Sequence, residues 1–112
     1  MKTSETIVIA KDFSDTPGAR YRADGPYSGQ QFYEEILVPK FKKAVEKNEI
    51  LVVDLDGTWG YPSSFISGAF GLLSINYTAE NVLQHIQFKS EENELLVEKF
   101  QNEIKSPTTK PK

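Results

Sequence analysis

The residues of this 112-residue chain that could carry chemistry gather in two stretches. In the first, Arg20 and Arg22 stand among turn-forming residues, with Lys11 upstream and Tyr27 downstream. Guanidinium groups so placed could grip a carboxylate or a phosphate. The plainer reading makes them solvated loop charges, or pairs them with Asp12, Asp15 and Asp24. In the second stretch, Asp54 and Asp56 close an apolar run, and Trp59, Tyr61, Pro62, Ser63, Ser64 and Phe65 follow. Aromatic residues in a turn are binding anchors when exposed, and close the end of a small core when they are not. Ser63 and Ser64 precede a segment with almost no polar face, so one of them is expected to cap a helix. A hydroxyl there faces unpaired backbone N–H groups, a place where an added phosphate is electrostatically tolerated. The plain reading of Asp54 and Asp56 is that they shape a strand-end turn and a helix N-terminus. No cysteine is present, which excludes disulfides, thiolate chemistry and cysteine-ligated metals. The single histidine, His85, reads as a strand-face residue without a chemical partner, so no metal site and no cofactor are expected.

These residues need a scaffold, and composition bounds it. A chain of this length makes one domain. Apolar residues at 38% and charged residues at 26% suit a soluble globular protein. With 13 basic and 16 acidic residues the net charge is −3, so no sequence-wide positive field exists to favour nucleic acid. No apolar run approaches the roughly 20 residues of a membrane span. The polar N-terminal residues do not read as a signal peptide, and a cytoplasmic location is expected.

Hydrophobic patterning places the elements. Residues 6–10 form a β-branched run, expected as a strand buried on both faces. Residues 11–27 read as a long connection. Ser28 reads as an N-cap for a helix near residues 29–47, where Phe32, Ile36, Leu37, Phe41, Ala44 and Val45 recur at helical spacing. Pro39 should kink or break that helix, at a cost of about 3 kcal/mol. Residues 50–55 are the strongest strand signal and the expected sheet centre. A buried helix should run from Phe65 to about Ser74, with Gly68 and Gly71 allowing close backbone packing. Thr78 should cap a helical turn reaching Leu83, and residues 85–89 alternate as a third strand with Ile86 and Phe88 inward. Ser90 should cap a last helix over residues 91–105, with Glu91 and Glu92 in its first turn. The order predicts an α/β fold: one small domain over residues 6–105, with a mainly parallel sheet of three or four strands backed by helices. Residues 1–5 and 106–112 are expected to be polar, unpacked termini.

Two resemblances bear on function. Asp54-Leu55-Asp56-Gly57-Thr58 resembles the nucleophile motif of haloacid dehalogenase-like phosphatases. That resemblance implies a first aspartate attacking phosphorus, a second acting as general acid/base, and magnesium held with a distal acidic pair. The 54 residues after Thr58 contain no aspartate to supply that pair. The second resemblance covers about residues 7–104. Phe13-Ser14, Pro17-Gly18, Arg20, Gly25, Ser28-Gly29, Phe32, Asp54-Leu55-Asp56-Gly57, Gly60-Tyr61, Ser63-Ser64-Phe65 and Ala69-Phe70-Gly71 resemble a STAS-like family of bacterial proteins of largely unknown function. It implies distant similarity to anti-sigma factor antagonists, in which a serine at a helix start is phosphorylated by a kinase of the GHKL ATPase class. Laid on this chain, Ser63 takes the acceptor position. Pro62 stands where the antagonists have an acidic residue, and Phe65 where they have glycine.

The expected function is therefore a non-enzymatic regulatory module, with no catalytic residue, that binds a protein partner. Asp56, Trp59, Tyr61 and Phe65 are the expected contact residues, and Ser63 or Ser64 is the candidate phospho-acceptor. A phosphate at Ser63 is expected to leave the fold intact and to break a partly apolar contact with the partner. The alternatives are a magnesium-dependent phosphohydrolase using Asp54 and Asp56, or a small-ligand or nucleotide sensor using Arg20, Arg22 and Tyr27.

Overall fold

The computed structural model describes residues 1–108. Three strands make one sheet: β1 (Thr3–Val8), β2 (Ile50–Asp54) and β3 (Ile86–Lys89), in the order β1-β2-β3 and all parallel. The run of β-branched and leucine residues in β2 takes the central position, as its hydropathy predicts. Ile7, Val53 and Phe88 share one rung, and Leu51 and Ile86 a second; all five are buried. The alternate rung of Thr6, Val52 and Gln87 is half or fully exposed, so the helices cover one face of the sheet.

The first strand differs from its expected form. It starts at Thr3, ends at Val8, and buries Ile7 while Thr6 stays exposed, because it lies at an edge with one covered face. Ile9–Asp12 then forms a single helical turn, α1. The Asp12 carboxylate accepts the Val8 N–H at 2.7 Å, which pulls the chain out of the strand.

Gly29–Phe32, Tyr33–Leu37 and Val38–Lys47 run on as one helix, α2, capped by the Ser28 hydroxyl on the Gln31 N–H. Its middle segment is a π turn, in which Val38 N–H reaches the Tyr33 carbonyl. Pro39 explains the widening. Proline has no N–H to offer, and its ring clashes with the carbonyl four residues back. A wider turn just before it relieves that clash, so the helix continues instead of breaking. Asn48 closes α2 in the left-handed conformation (φ 54°), a frequent helix stop.

The second long helix, α3, is likewise continuous through Ser63–Ile66, the π turn Ser67–Gly71, and Leu72–Tyr77. It starts two residues before, and ends three residues beyond, its expected limits. A Cβ on Gly29 would lie 2.6 Å from the Phe65 carbonyl oxygen and 3.0 Å from the Ala69 nitrogen. The start of α2 thus packs backbone to backbone on α3. Helix α4 (Ala79–His85) is capped by Thr78, whose hydroxyl accepts the Asn81 N–H. His85 ends this helix instead of starting β3. It is buried, with Nδ1 3.0 Å from the Glu49 carbonyl.

The last helix, α5 (Glu94–Lys105), is capped by Asn93 and not by Ser90. Glu91 and Glu92 lie in the preceding turn, where a carboxylate from another loop accepts their N–H groups and the Ser90 hydroxyl accepts that of Asn93. The chain after α5 folds back: Thr108 N–H and hydroxyl reach the Glu103 carboxylate. Thr108 itself stays exposed, and the rest of the expected tail, residues 109–112, lies outside the described residues. Phe100 of α5 meets Tyr61, Phe70 and Phe88, tying α5, α3 and β3 into one core.

Candidate functional site

The parallel sheet sends the ends of β1 and β2 to the same edge of the molecule, where both expected chemical stretches begin. Asp54 is the last residue of β2, and its Oδ1 accepts the Asp56 N–H at 3.0 Å. Asp56 in turn reaches across to the turn before α5. It accepts from the Ser90 hydroxyl at 2.7 Å, from Glu91 N–H at 2.8 Å and from Glu92 N–H at 3.3 Å. Burial opposes the Asp56 charge, but these bonds, with Lys89 nearby, outweigh it and hold its pKa below the ordinary value. Both carboxylates are therefore occupied in shaping loops. Among the described residues, no three carboxylate, imidazole or thiol side chains gather in a group that could hold a metal ion.

The loop after Asp56 is held from two sides. Gly57 N–H donates to the Glu92 carboxylate, and Trp59 N–H to the Asp15 carbonyl, both at 2.9 Å. Trp59 itself is 87% exposed. Tyr61 turns inward, 7% exposed, its hydroxyl donating to the Leu55 carbonyl at 2.8 Å and its ring edge-on to Phe100. Burial, with Asp54, Asp56 and Glu92 adding to it, pushes the Tyr61 hydroxyl up to about 12. Phe65 is fully buried among Phe13, Phe32 and Tyr61. Tyr61 and Phe65 thus act from within the core, and of the expected contact aromatics Trp59 alone faces outward. Apolar burial is the reason: both side chains gain more against Phe100 and Phe32 than a small domain can forgo.

An open groove of about 420 Å³ runs beside Trp59, lined by Thr16, Pro17, Gly60, Tyr61 and Pro62. Pro17 and Pro62, which in the sequence signal only turns, form its walls. Ser63 is exposed at the first position of α3, next to the groove, and Ser64 is half-buried. Neither hydroxyl caps the helix. The Pro62 carbonyl takes the N–H groups of Phe65 and Ile66, so the helix begins one residue earlier than a serine cap would place it.

The expected ligand loop is not assembled. Arg22 pairs with Glu34 and Glu35 of α2, not with the aspartates of its own loop, and these bonds keep its guanidinium firmly charged. Arg20 packs its backbone and Cγ over Gly68 of α3, and its Nε is buried without a hydrogen-bond partner. Tyr27 is half-exposed at φ 54°, edge-on to Phe13. Ser90 and Glu92 are functional to the loop geometry but carry no local signal in the sequence, since their partners lie 34 and 35 residues away.

Among the described residues no helix is long and apolar enough to cross a membrane. No curated protein and no solved structure gives a significant match. A family model described as a STAS-like domain of unknown function (DUF4325) matches residues 28–96, which spans α2, β2, α3, α4, β3 and the start of α5. With more than half of its length matched, and with its parallel sheet backed by helices, the chain belongs to this STAS-like family.

Proposed function

We propose that the protein is a non-enzymatic regulatory module that docks a protein partner on the face formed by Trp59, Pro17 and Pro62. Membership of a STAS-like family supports a regulatory interaction role. The observation that carries the reading is Trp59: a large aromatic side chain held outward at 87% exposure by a backbone bond to Asp15, beside an open groove. Exposed tryptophans of this kind are the residues that most often anchor protein interfaces. The partner class suggested by the family resemblance is a GHKL-type ATPase or kinase. In this reading Ser63 is the phospho-acceptor, supported by its exposure next to the groove.

The test is affinity capture from the native host with wild-type protein and with Trp59→Ala, alongside thermal denaturation of both. The reading requires that Trp59→Ala loses the captured partner while its melting temperature stays near wild type. Retention of the partner by Trp59→Ala refutes it. The switch requires that Ser63→Asp changes capture and Ser63→Ala does not; equal capture by both variants removes it.

A further inference from the structure

Both walls of the Trp59 groove come from segments whose only charges are negative. From Asn48 to Phe88 the sequence has no lysine or arginine, and from Asp12 to Ala19 it has none either, with Lys11 and Arg20 flanking that shorter run. Asp15 is exposed, adjoins the groove residue Thr16, and holds the Trp59 backbone. Glu92 holds the same loop at Gly57. Over this ground stands an exposed indole, whose π face attracts cations. The exposed Asp15 carboxylate, beside the groove residue Thr16, adds to that attraction and is screened by salt.

We propose that the groove of Trp59, Pro17 and Pro62 docks an extended, arginine- or lysine-bearing segment of a protein partner, with one cationic side chain stacked on the Trp59 indole. This rests on the docking reading above and adds the chemistry of the partner. It also sets the direction of a switch at Ser63. Phosphate on Ser63 would add about −1.5 to −2 charges beside Pro62. For a cationic segment that added charge strengthens docking, the opposite of the break that an apolar contact would suffer.

Trp59 is the single tryptophan, so its fluorescence reports on the groove directly. The probes are a capped arginine–proline hexapeptide and its counterpart with glutamate replacing arginine, titrated at low and high salt. The arginine peptide should perturb Trp59 fluorescence saturably and bind more weakly at high salt, and the glutamate peptide should do neither. Asp15→Lys should weaken the arginine peptide and Ser63→Asp should tighten it, each by about two- to fivefold at low salt. Asp15→Asn, which keeps a similar shape, should weaken it by less than Asp15→Lys. The proposal is overturned if the two peptides bind alike, if neither binds, if Asp15→Lys leaves affinity unchanged, or if Ser63→Asp weakens binding. Failure of the peptides while Trp59→Ala still loses a captured partner overturns the cationic segment alone and leaves the docking face standing.

Discussion

Asp56 accepts three hydrogen bonds from the turn before α5, and through them one carboxylate joins the loop after β2 to the loop after β3. Asp56→Ala leaves those N–H groups to water and should destabilise the domain by about 1 kcal/mol in chemical denaturation. The pH dependence has a definite sign. A carboxyl whose folded pKa lies below its ordinary value of 3.8 stabilises the fold above that value, and its contribution is lost as pH falls through the folded pKa. Asp56→Asn should therefore flatten the acid limb of the stability curve below about pH 4, measured by melting temperature against pH. At Trp59 the opposite holds. Its side chain is almost wholly in solvent, so Trp59→Ala should shift stability by no more than about 0.5 kcal/mol.

At the scale of elements, α2 and α3 show how two long helices meet the same core in different ways. In α2 the π turn takes up the conflict that Pro39 creates, and the Ser28 cap seats the helix start. In α3 the close approach falls on Gly68, over which the Arg20 backbone lies, and on the backbone that faces Gly29. Gly29→Ala would push a methyl to within 2.6 Å of a carbonyl oxygen that belongs to helix backbone and cannot swing away. The two helices must then separate, and equilibrium unfolding should show a loss of about 1–3 kcal/mol. The charged pairs on α2 act differently. Arg22 with Glu34 and Glu35 lies in solvent, so Arg22→Ala should matter little for stability, and less still at high salt.

For the whole molecule, stability rests on one aromatic-rich core between the sheet and its helices. Phe100 joins three elements there, and Phe100→Ala should cost about 3–5 kcal/mol, a large part of what a domain of this size possesses. Val53→Asp places an unpaired charge at the centre of the sheet and should leave the chain unfolded by circular dichroism at room temperature. The distribution of charge also belongs to this scale. At the ends of the strands Asp12, Asp15, Asp54 and Asp56 stand with Lys11 and Lys89, while Lys40 pairs with Glu5 of β1 and, with Lys43 and Lys47, lowers its pKa. A net charge of −3 says nothing of that grouping, which the parallel strands create by bringing like ends together.

The α/β class, the central place of β2, the inward Ile86 and Phe88, the Ser28 and Thr78 caps and the family resemblance could all be read from the chain alone. The resemblance rests on motifs spread over the chain; the others depend on periodicity or on residue types a few positions apart, which local backbone physics controls. The site was legible in part. The stretch from Asp54 to Ser64 was identifiable, but not which of its aromatics faces out. Trp59 points to solvent and Tyr61 inward because the Asp15 carbonyl, the Leu55 carbonyl and Phe100 select those directions, and only folding brings the first and last of these to the loop. Likewise Ser90 takes the Asn93 N–H as a cap would, yet it also donates to Asp56, 34 residues earlier, which holds the Glu91 and Glu92 N–H groups in a turn, and α5 starts only after Asn93. Where a residue's partners are near in sequence, its role follows from the sequence. Where the partner arrives across the sheet, the competition for each hydrogen bond is decided by the tertiary structure.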